Sequence, residues 1–188
     1  MKVFERSSLM KIHALLAAFI FPVAAMFFIT GALYTWGVKG SYDTSTYTLA
    51  LEQALQPQLY ELRELAATEL QLRNLAPPTG KAKLKEMGTS FSLEWTGSNR
   101  DVIIQPTEQA LVAQLQIKET SWYRKFVQLH KAKGGELFKV YAAILAASLF
   151  LLLASGFVMA WKTPRLQKLS LVASVLGVAV FILMAASS

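Results

Sequence analysis

The chain has 188 residues, of which 54% are hydrophobic, and it carries a formal net charge of +7. A hydrophobic share this high excludes an ordinary soluble domain. The sequence has no cysteine, which excludes disulfides, thiolate metal sites, iron–sulfur clusters and cysteine catalysis. The positive charge does not indicate nucleic-acid binding, because most of the excess comes from six basic residues that flank apolar segments: Lys2, Arg6, Lys11, Lys162, Arg165 and Lys168.

The hydrophobic residues collect into three blocks, at residues 12–36, 137–161 and 169–186. Each block is long enough to cross a bilayer as one helix, since about 20 residues at 1.5 Å each cover the hydrocarbon. The first block is longer than the apolar core of a signal peptide, so we interpret it as a retained helix. The sequence therefore predicts a mostly α membrane protein with three transmembrane helices.

The first predicted helix carries a histidine about one turn inside its N-terminal end, at His13. Pro22 is expected to kink this helix, because proline removes a backbone donor. One stripe of the helix has three small residues among six: His13, Ala17, Ile20, Ala24, Phe27 and Gly31. Such a stripe lets another helix, or a flat cofactor, approach closely.

The segment between the first two spans has the composition of a globular domain. Residues 38–48 are expected to form a linker, and leucines interleaved with polar residues predict a helix over 47–75, divided at Pro57. From Thr89 the hydrophobic period changes to two, which predicts three antiparallel strands with turns at 97–100 and 106–109. We therefore expect a small α+β domain.

Residues 118–133 return the chain to the membrane. Aromatic and basic residues alternate there, which suits a helix at the bilayer interface, and His130 lies near its end. The predicted organisation is a tail and first span at 1–37, the α+β domain with a juxtamembrane segment at 38–133, the second span at 134–162, and a loop and third span at 163–188.

The basic residues predict the topology, because cytoplasmic loops are enriched in Lys and Arg. They place the N-terminus and the loop between the last two spans inside, and the small domain and Ser188 outside. Taking the source to be a Gram-negative bacterium, we expect a multi-pass inner-membrane protein with a periplasmic domain and a periplasmic C-terminus.

Two segments of the sequence carry a family pattern. The first is LMKIHALLAAFIFPVAAMFFITGALYTW, with Leu9, His13, Thr30 and Gly31 at the motif positions. The second is LHKAKGGELFKVYAAILAASLFLLLASGFVMAWK, where the motif positions are Leu129, His130, Ser155, Gly156, Trp161 and Lys162. These segments resemble the two histidine-bearing helices of the PepSY-associated transmembrane family, and the segment between them looks like a shortened PepSY module. Larger members have an additional pair of membrane helices and further histidines.

The resemblance implies two functions. Some members are inner-membrane ferric or ferric-siderophore reductases that hold b-type haem between helices through histidines and pass electrons to periplasmic iron. His13 and His130 match the positions of the haem ligands. Other members have no settled activity, and the PepSY module is not itself catalytic. The alternative is therefore a non-enzymatic accessory protein whose periplasmic domain binds or restrains a partner.

The chemistry of the two histidines leaves both outcomes open. Neutral imidazole is the usual haem ligand, but an imidazole at the end of a span is also an ordinary interface residue. The basic residues Arg124, Lys125 and Lys131 suit haem propionates, an anionic ferric chelate or lipid headgroups. Nothing in the sequence indicates a flavin or nicotinamide fold, so electrons would come from quinol or a cytoplasmic donor, and the ferrous product would feed a ferrous transporter.

The positions of the histidines limit how they could bind haem. A span of about 20 residues separates its two ends by roughly 30 Å, so His13 and His130 of one chain cannot bind the same iron. Bis-histidine ligation would require a homodimer in which His13 or His130 pairs with its copy across a two-fold axis. The alternatives are a five-coordinate haem or a ligand from another protein.

Overall fold

The computed structural model describes residues 6–88 and 90–187. Along these residues the elements are α1 (Arg6–Thr35), β1 (Tyr42–Ala50), α2 (Leu59–Leu72), β2 (Ala82–Met87), β3 (Ser90–Thr96), β4 (Arg100–Pro106), β5 (Val112–Thr120), α3 (Trp122–His130), α4 (Glu136–Trp161) and α5 (Pro164–Ala186). The predicted outside position of Ser188, the flanking charge of Lys2 and the predicted start of the strands at Thr89 lie outside the described residues.

Three helices of the described chain are long and apolar enough to cross a membrane, at Ser7–Thr35, Glu136–Trp161 and Pro164–Ala186. This confirms the prediction of three spans and of a multi-pass membrane protein. The third span begins with Pro164, whose fixed φ suits the first turn of a helix. Large hydrophobic side chains are exposed along all three spans, as expected for helices that face lipid.

The chain divides into two compact units. One unit consists of Met1–Ala24 and Ala143–Ser188, and it contains His13. The other is Ala25–Ala142, and it contains His130.

The described strands of the second unit form one antiparallel sheet in the order β1-β5-β4-β3-β2. Helix α2 packs on one face, because Leu62, Ala66 and Leu70 recur every four residues and form one apolar stripe. The strands contribute the rest of the core: Leu49, Leu93, Trp95, Val102, Ile104, Ala113, Leu115 and Ile117. The predicted α+β domain is therefore confirmed, and we call α2 with β1–β5 the sheet domain.

The predicted linker is confirmed over 38–41 but is wrong from residue 42 onward, and the first part of the predicted helix over 47–75 is wrong as well. Residues 42–50 form β1, which pairs along its whole length with β5, from Tyr42 opposite Thr120 to Ala50 opposite Val112. The stretch YDTSTYTLA is rich in β-branched and aromatic residues, which favour strands, and its pairing with β5 outweighs the leucine spacing. The helix begins only at Leu59, after Pro57.

The three predicted strands are confirmed as β3, β4 and β5, but the sequence did not predict β2. This strand pairs with β3, with Leu84 opposite Leu93. Lys83 and Lys85 interrupt its hydrophobic pattern. They suit an edge strand, where charged side chains oppose pairing with other chains.

Helix α3 follows β5 directly and confirms the helix predicted within 118–133. Ser121 caps it, since its Oγ accepts a hydrogen bond from the Arg124 backbone N–H at 3.3 Å. The connection to α4 contains Gly135 at φ +86°, a left-handed conformation that favours glycine. His130 is the last residue of α3, and the connection to α4 follows it.

Candidate histidine sites

His13 lies on α1 and contacts α4 within the first unit. Its Nδ1 is 2.9 Å from the Ser155 hydroxyl oxygen. That hydroxyl also donates to the carbonyl of Leu152, one turn earlier on α4, at 3.0 Å. Gly156 lies beside the ring, and a Cβ built there would stand 3.6 Å from the histidine Cε1. The serine and the glycine together hold one edge of the imidazole against α4.

An open cleft of about 410 Å³ lies beside His13. Its walls come from α1, α4, the turn after α4 and the start of α5, at Met10, His13, Ala14, Gly156, Met159, Ala160, Thr163 and Leu166. Most of these side chains are apolar, as is usual for a cofactor pocket. The thioethers of Met10 and Met159 are further groups in this cleft that can bind haem iron.

His130 lies at the C-terminal end of α3 and contacts α1 within the second unit. Its Nδ1 is 3.0 Å from the hydroxyl oxygen of Thr30. Gly31 lies so close that a Cβ built there would stand 3.1 Å from the histidine Cε1. The ring of Phe27 packs on the imidazole, with 5.0 Å between the ring centroids. The threonine is buried, whereas His130 itself is exposed.

The two histidines therefore meet the same pair of residue types, a hydroxyl residue followed by glycine. The sequence identifies Thr30-Gly31 and Ser155-Gly156 as motif positions, but it does not indicate that they contact the histidines. In both sites Nδ1 faces the hydroxyl. Among the described residues, neither Nε2 atom has a hydrogen-bond partner.

This donor chemistry fits a haem. A neutral imidazole binds iron through one ring nitrogen while the other makes a hydrogen bond that fixes the ring. The residues around His13 add an apolar cleft, and those around His130 add an aromatic ring.

The three basic residues predicted to contact anions differ in their surroundings. The guanidinium of Arg124 lies 4.4 Å from the centroid of the Tyr42 ring and donates to the Lys39 carbonyl at 3.0 Å. The ammonium of Lys131 lies 5.6 Å from the Tyr34 ring centroid, and the side chains of Lys131 and Lys125 are exposed. Arg124 is thus engaged within its own unit, while the two lysines face outward.

A buried polar network anchors α3 to the sheet. Gln128, which is 0% exposed, donates from Nε2 to the Tyr42 hydroxyl at 2.9 Å and to the Asp101 carboxylate at 3.3 Å. The Tyr42 hydroxyl in turn donates to Asp101 at 2.7 Å. The sequence did not predict this network, because Gln128 belongs to a segment that was expected to lie at the bilayer interface.

Burial in this network shifts two pKa values. Loss of solvent, and then the hydrogen bond to Asp101, raises the pKa of Tyr42. Loss of solvent lowers the pKa of Lys133, and the nearby Asp101 carboxylate, 3.7 Å from its ammonium, only partly opposes this effect. Tyr42 is therefore held as the neutral phenol, which is the form that donates to Asp101.

A family model described as the PepSY-associated TM region matches residues 10–185 of the chain. The match includes both histidines, both hydroxyl–glycine pairs and the whole sheet domain. No curated protein and no solved structure matches the chain.

Proposed function

The chain belongs to the PepSY-associated TM region family, and from this premise we propose that it is a bacterial inner-membrane haem b protein. In this proposal it passes electrons across the membrane to ferric iron, or to a ferric chelate, at the periplasmic side. The ferrous product supports uptake by a ferrous transporter. Quinol or a cytoplasmic donor supplies the electrons.

The observation that supports the proposal is the hydrogen bonding of the two imidazoles. Each has Nδ1 beside a hydroxyl, and neither Nε2 has a hydrogen-bond partner among the residues that the structure describes. A free imidazole lone pair is what an axial haem ligand requires, and at His13 it lies beside an apolar cleft. When bound, a haem with two strong axial ligands supplies a one-electron carrier.

In this proposal the chain's own residues bind and orient the haem and attract the ferric substrate. His13 and His130 provide axial nitrogens, and the apolar side chains beside His13 exclude water. The exposed ammonium groups of Lys125 and Lys131 attract an anionic ferric chelate or hold haem propionates by charge-assisted hydrogen bonds. Arg124 has the same charge, but its contacts with Tyr42 and Lys39 make it the weaker candidate for this role.

The second axial ligand comes from a second copy of the chain. His13 and His130 belong to opposite ends of the predicted spans, so a two-fold homodimer would pair each histidine with its own copy. Such a dimer holds up to two haems. The other arrangements are a five-coordinate haem, a thioether from Met10 or Met159 as a second ligand, and a ligand from another protein.

The absorbance spectrum of the purified chain tests this proposal. We expect a Soret band, and split visible bands after dithionite. His13→Ala and His130→Ala should each lower the haem content. Gly177→Ala is a suitable control, because a Cβ at that position of α5 meets no described atom within 4 Å. A colourless full-length preparation from haem-replete cells would refute the haem proposal.

One observation favours the alternative, a non-enzymatic accessory protein. The sheet domain has a cleft of about 480 Å³ lined by Leu59, Tyr60, Arg63, Gly80, Lys81, Ala82 and Trp95. The guanidinium of Arg63 lies 5.3 Å from the Trp95 ring centroid, so the cleft combines positive charge with aromatic surface. That combination suits an acidic segment of a partner protein.

Excision of the sheet domain separates the two functions. The Ser121 backbone N–H donates to the Ser41 carbonyl at 3.1 Å, so the two ends of the domain are adjacent. A variant lacking residues 42–120, with a short flexible link, should therefore leave both histidine-bearing segments connected. Because the excision also removes Tyr42 and Asp101, which hold α3, haem should be measured at the His13 site. Loss of cellular function with that haem retained would favour the accessory role, whereas retained ferric reduction would favour the reductase.

A further inference from the structure

We propose that Thr30 and Ser155 are positioning residues that hold His130 and His13 in the tautomer with hydrogen on Nδ1. In that tautomer the free lone pair of each ring is on Nε2. The assignment of the tautomer stands on the hydrogen bonds alone. Its consequence for iron rests on the proposed function.

Each hydroxyl has a single proton to donate. The Thr30 hydroxyl oxygen is 2.6 Å from the carbonyl of Met26 and 3.3 Å from that of Phe27. A carbonyl can only accept, so the proton of Thr30 is used within α1. Towards His130, the threonine oxygen then acts as an acceptor, and the proton between them belongs to Nδ1.

Ser155 repeats this arrangement on α4. Its hydroxyl donates to the carbonyl of Leu152 at 3.0 Å, and the same oxygen lies 2.9 Å from Nδ1 of His13. The serine oxygen can accept the Nδ1 proton without losing its bond to the carbonyl. Ser155 and Thr30, which lie in different units, thus each offer a hydroxyl oxygen as an acceptor to a histidine Nδ1.

The other tautomer makes one hydrogen bond fewer at each site. If Nδ1 lacked a proton, the hydroxyl would have to leave its carbonyl and donate to the ring. The Nε2–H group would then be a donor, and no described residue offers it an acceptor. Beside the apolar cleft at His13 an unpaired donor is unfavourable, whereas at the exposed His130 water can accept from Nε2–H, so the selection there rests on the hydroxyl bond to the carbonyl. The count of hydrogen bonds therefore selects the Nδ1–H form.

A glycine follows each hydroxyl residue, and at Gly31 its missing side chain matters. A Cβ there would stand 3.1 Å from Cε1 of His130, so glycine lets the ring approach closely enough for Nδ1 to reach the hydroxyl. At Gly156 the corresponding distance to His13 is 3.6 Å, an ordinary van der Waals contact. A hydrogen bond from Nδ1 to a hydroxyl fixes the ring orientation and makes Nε2 more basic, which strengthens its bond to a metal.

Nitrogen-15 NMR of the full chain in micelles tests the tautomer directly. The chain has two histidines, so labelling histidine alone gives two ring systems to assign. Protein from haem-depleted cells, at about pH 9 where an ordinary imidazole is neutral, should show protonated Nδ1 and unprotonated Nε2 in both rings. Protonated Nε2 in the wild-type spectrum of either ring would overturn the proposal without any variant.

The variants give each site a matched control in the other. Thr30→Val keeps the shape of the side chain but removes the hydroxyl, and should shift only His130 towards the Nε2–H form. Ser155→Ala should shift only His13, while Thr30→Ser and Ser155→Thr should restore the wild-type spectrum. Unchanged tautomers in the valine and alanine variants would contradict the proposed role.

Haem affinity separates this inference from the proposed function. If haem binds, Thr30→Val and Ser155→Ala should each weaken it by about 10–100-fold, as losses of such outer contacts typically do. They should also raise the reduction potential of the haem concerned, because a less basic ligand stabilises ferric iron less. Protein with the expected tautomers but no haem refutes the reductase alone, whereas haem-bound protein with unchanged affinity in both variants refutes the positioning role.

Discussion

At the scale of single residues, the two glycines beside the histidines differ in the room they leave. A Cβ at Gly31 would stand 3.1 Å from the Cε1 atom of His130, which is closer than ordinary van der Waals contact. The corresponding distance from Gly156 to His13 is 3.6 Å, which a methyl group can tolerate. Both glycines lie inside helices, where alanine is otherwise favoured by about 1 kcal/mol.

This difference predicts opposite outcomes for the same substitution. Gly156→Ala should stabilise the chain by up to about 1 kcal/mol through helix propensity. Gly31→Ala should lose about 1–3 kcal/mol to overpacking, which outweighs that gain, and should displace the His130 ring. Thermal unfolding in micelles measures the first effect, and the nitrogen-15 shifts of His130 measure the second. Equal behaviour of the two variants would contradict the assigned contacts.

The partly buried phenol of Tyr42 predicts a dependence of stability on alkaline pH. Because its pKa is raised in the folded chain, native protein keeps the phenol proton at pH values where the unfolded chain loses it. The stabilisation is complete below the pKa of an ordinary phenol, about 10, and is lost as pH rises through the higher folded value. Tyr42→Phe should therefore be less stable at neutral pH, by about 1.5–3 kcal/mol for bonds to a charged partner.

The gap between wild type and Tyr42→Phe should narrow above about pH 10. Unfolding midpoints of both proteins at about pH 8 and about pH 11 measure this change. Lys133, whose lowered pKa has the opposite effect on the pH slope, is present in both proteins and cancels in the comparison. A stability difference that stays constant or widens with pH would show that Tyr42 is not held as a neutral donor to Asp101.

The sequence identified both histidines but not what surrounds them. His13 and His130 stand out because they are the two imidazoles of the chain and lie near the ends of apolar spans. Thr30 and Ser155 were found only as motif positions, because a hydroxyl inside an apolar helix usually bonds its own backbone. Gln128 was not found at all, since its 0% exposure depends on β4 and on β1, a strand that the sequence did not predict.

At the scale of elements, α3 connects the sheet domain to a histidine. Gln128 holds the helix to Tyr42 and Asp101, and His130 follows two residues later. The position of the imidazole therefore depends on contacts made by the sheet. A substitution that weakens the contacts of α3 with the sheet should therefore displace the His130 ring, even if the substituted residue does not contact His130.

Gln128→Ala tests this connection, with Gln71→Ala on the exposed surface of α2 as the control. Loss of the buried amide leaves Asp101 and Tyr42 with fewer partners, which costs about 1–3 kcal/mol. Hydrogen exchange in α3 should accelerate accordingly, and haem bound through His130 should fall. Exchange as slow as in Gln71→Ala would mean that the network does not hold the helix.

The spans were predictable and part of the sheet was not, for physical reasons. A bilayer imposes a length of about 20 apolar residues on each helix, and that signal is local. The identity of β1 is not local, because it depends on pairing with β5, about seventy residues later along the chain. The lysines of β2 similarly interrupt the hydrophobic alternation by which a strand is predicted. This edge strand is defined instead by its pairing with β3.

At the scale of the whole molecule, ferric reduction at the periplasmic side requires a defined orientation of the chain in the membrane. The basic loop near Lys162 should lie in the cytoplasm and the sheet domain in the periplasm. The chain has no cysteine, so single cysteines can be introduced without background. Thr107, in an exposed turn of the sheet domain, and Lys162 are suitable positions.

A membrane-impermeant maleimide added to cells with a permeabilised outer membrane should label Thr107→Cys but not Lys162→Cys. Detergent-solubilised protein should label at both positions, which shows that both thiols can react. Labelling of Lys162→Cys in intact inner membranes would show that the topology is the reverse of the predicted one. Reduction of ferric iron at the periplasmic side through the His130 site would then be untenable.

The central claim is that the imidazoles of this chain bind haem within a two-fold dimer. A pyridine haemochrome assay on purified dimer, with the chain concentration measured independently, tests it most directly. We predict up to one haem b per chain, with loss of one class of haem in His13→Ala and of the other in His130→Ala. A full-length chain from haem-replete cells that contains no haem, or whose haem content is unchanged in both variants, would contradict the account.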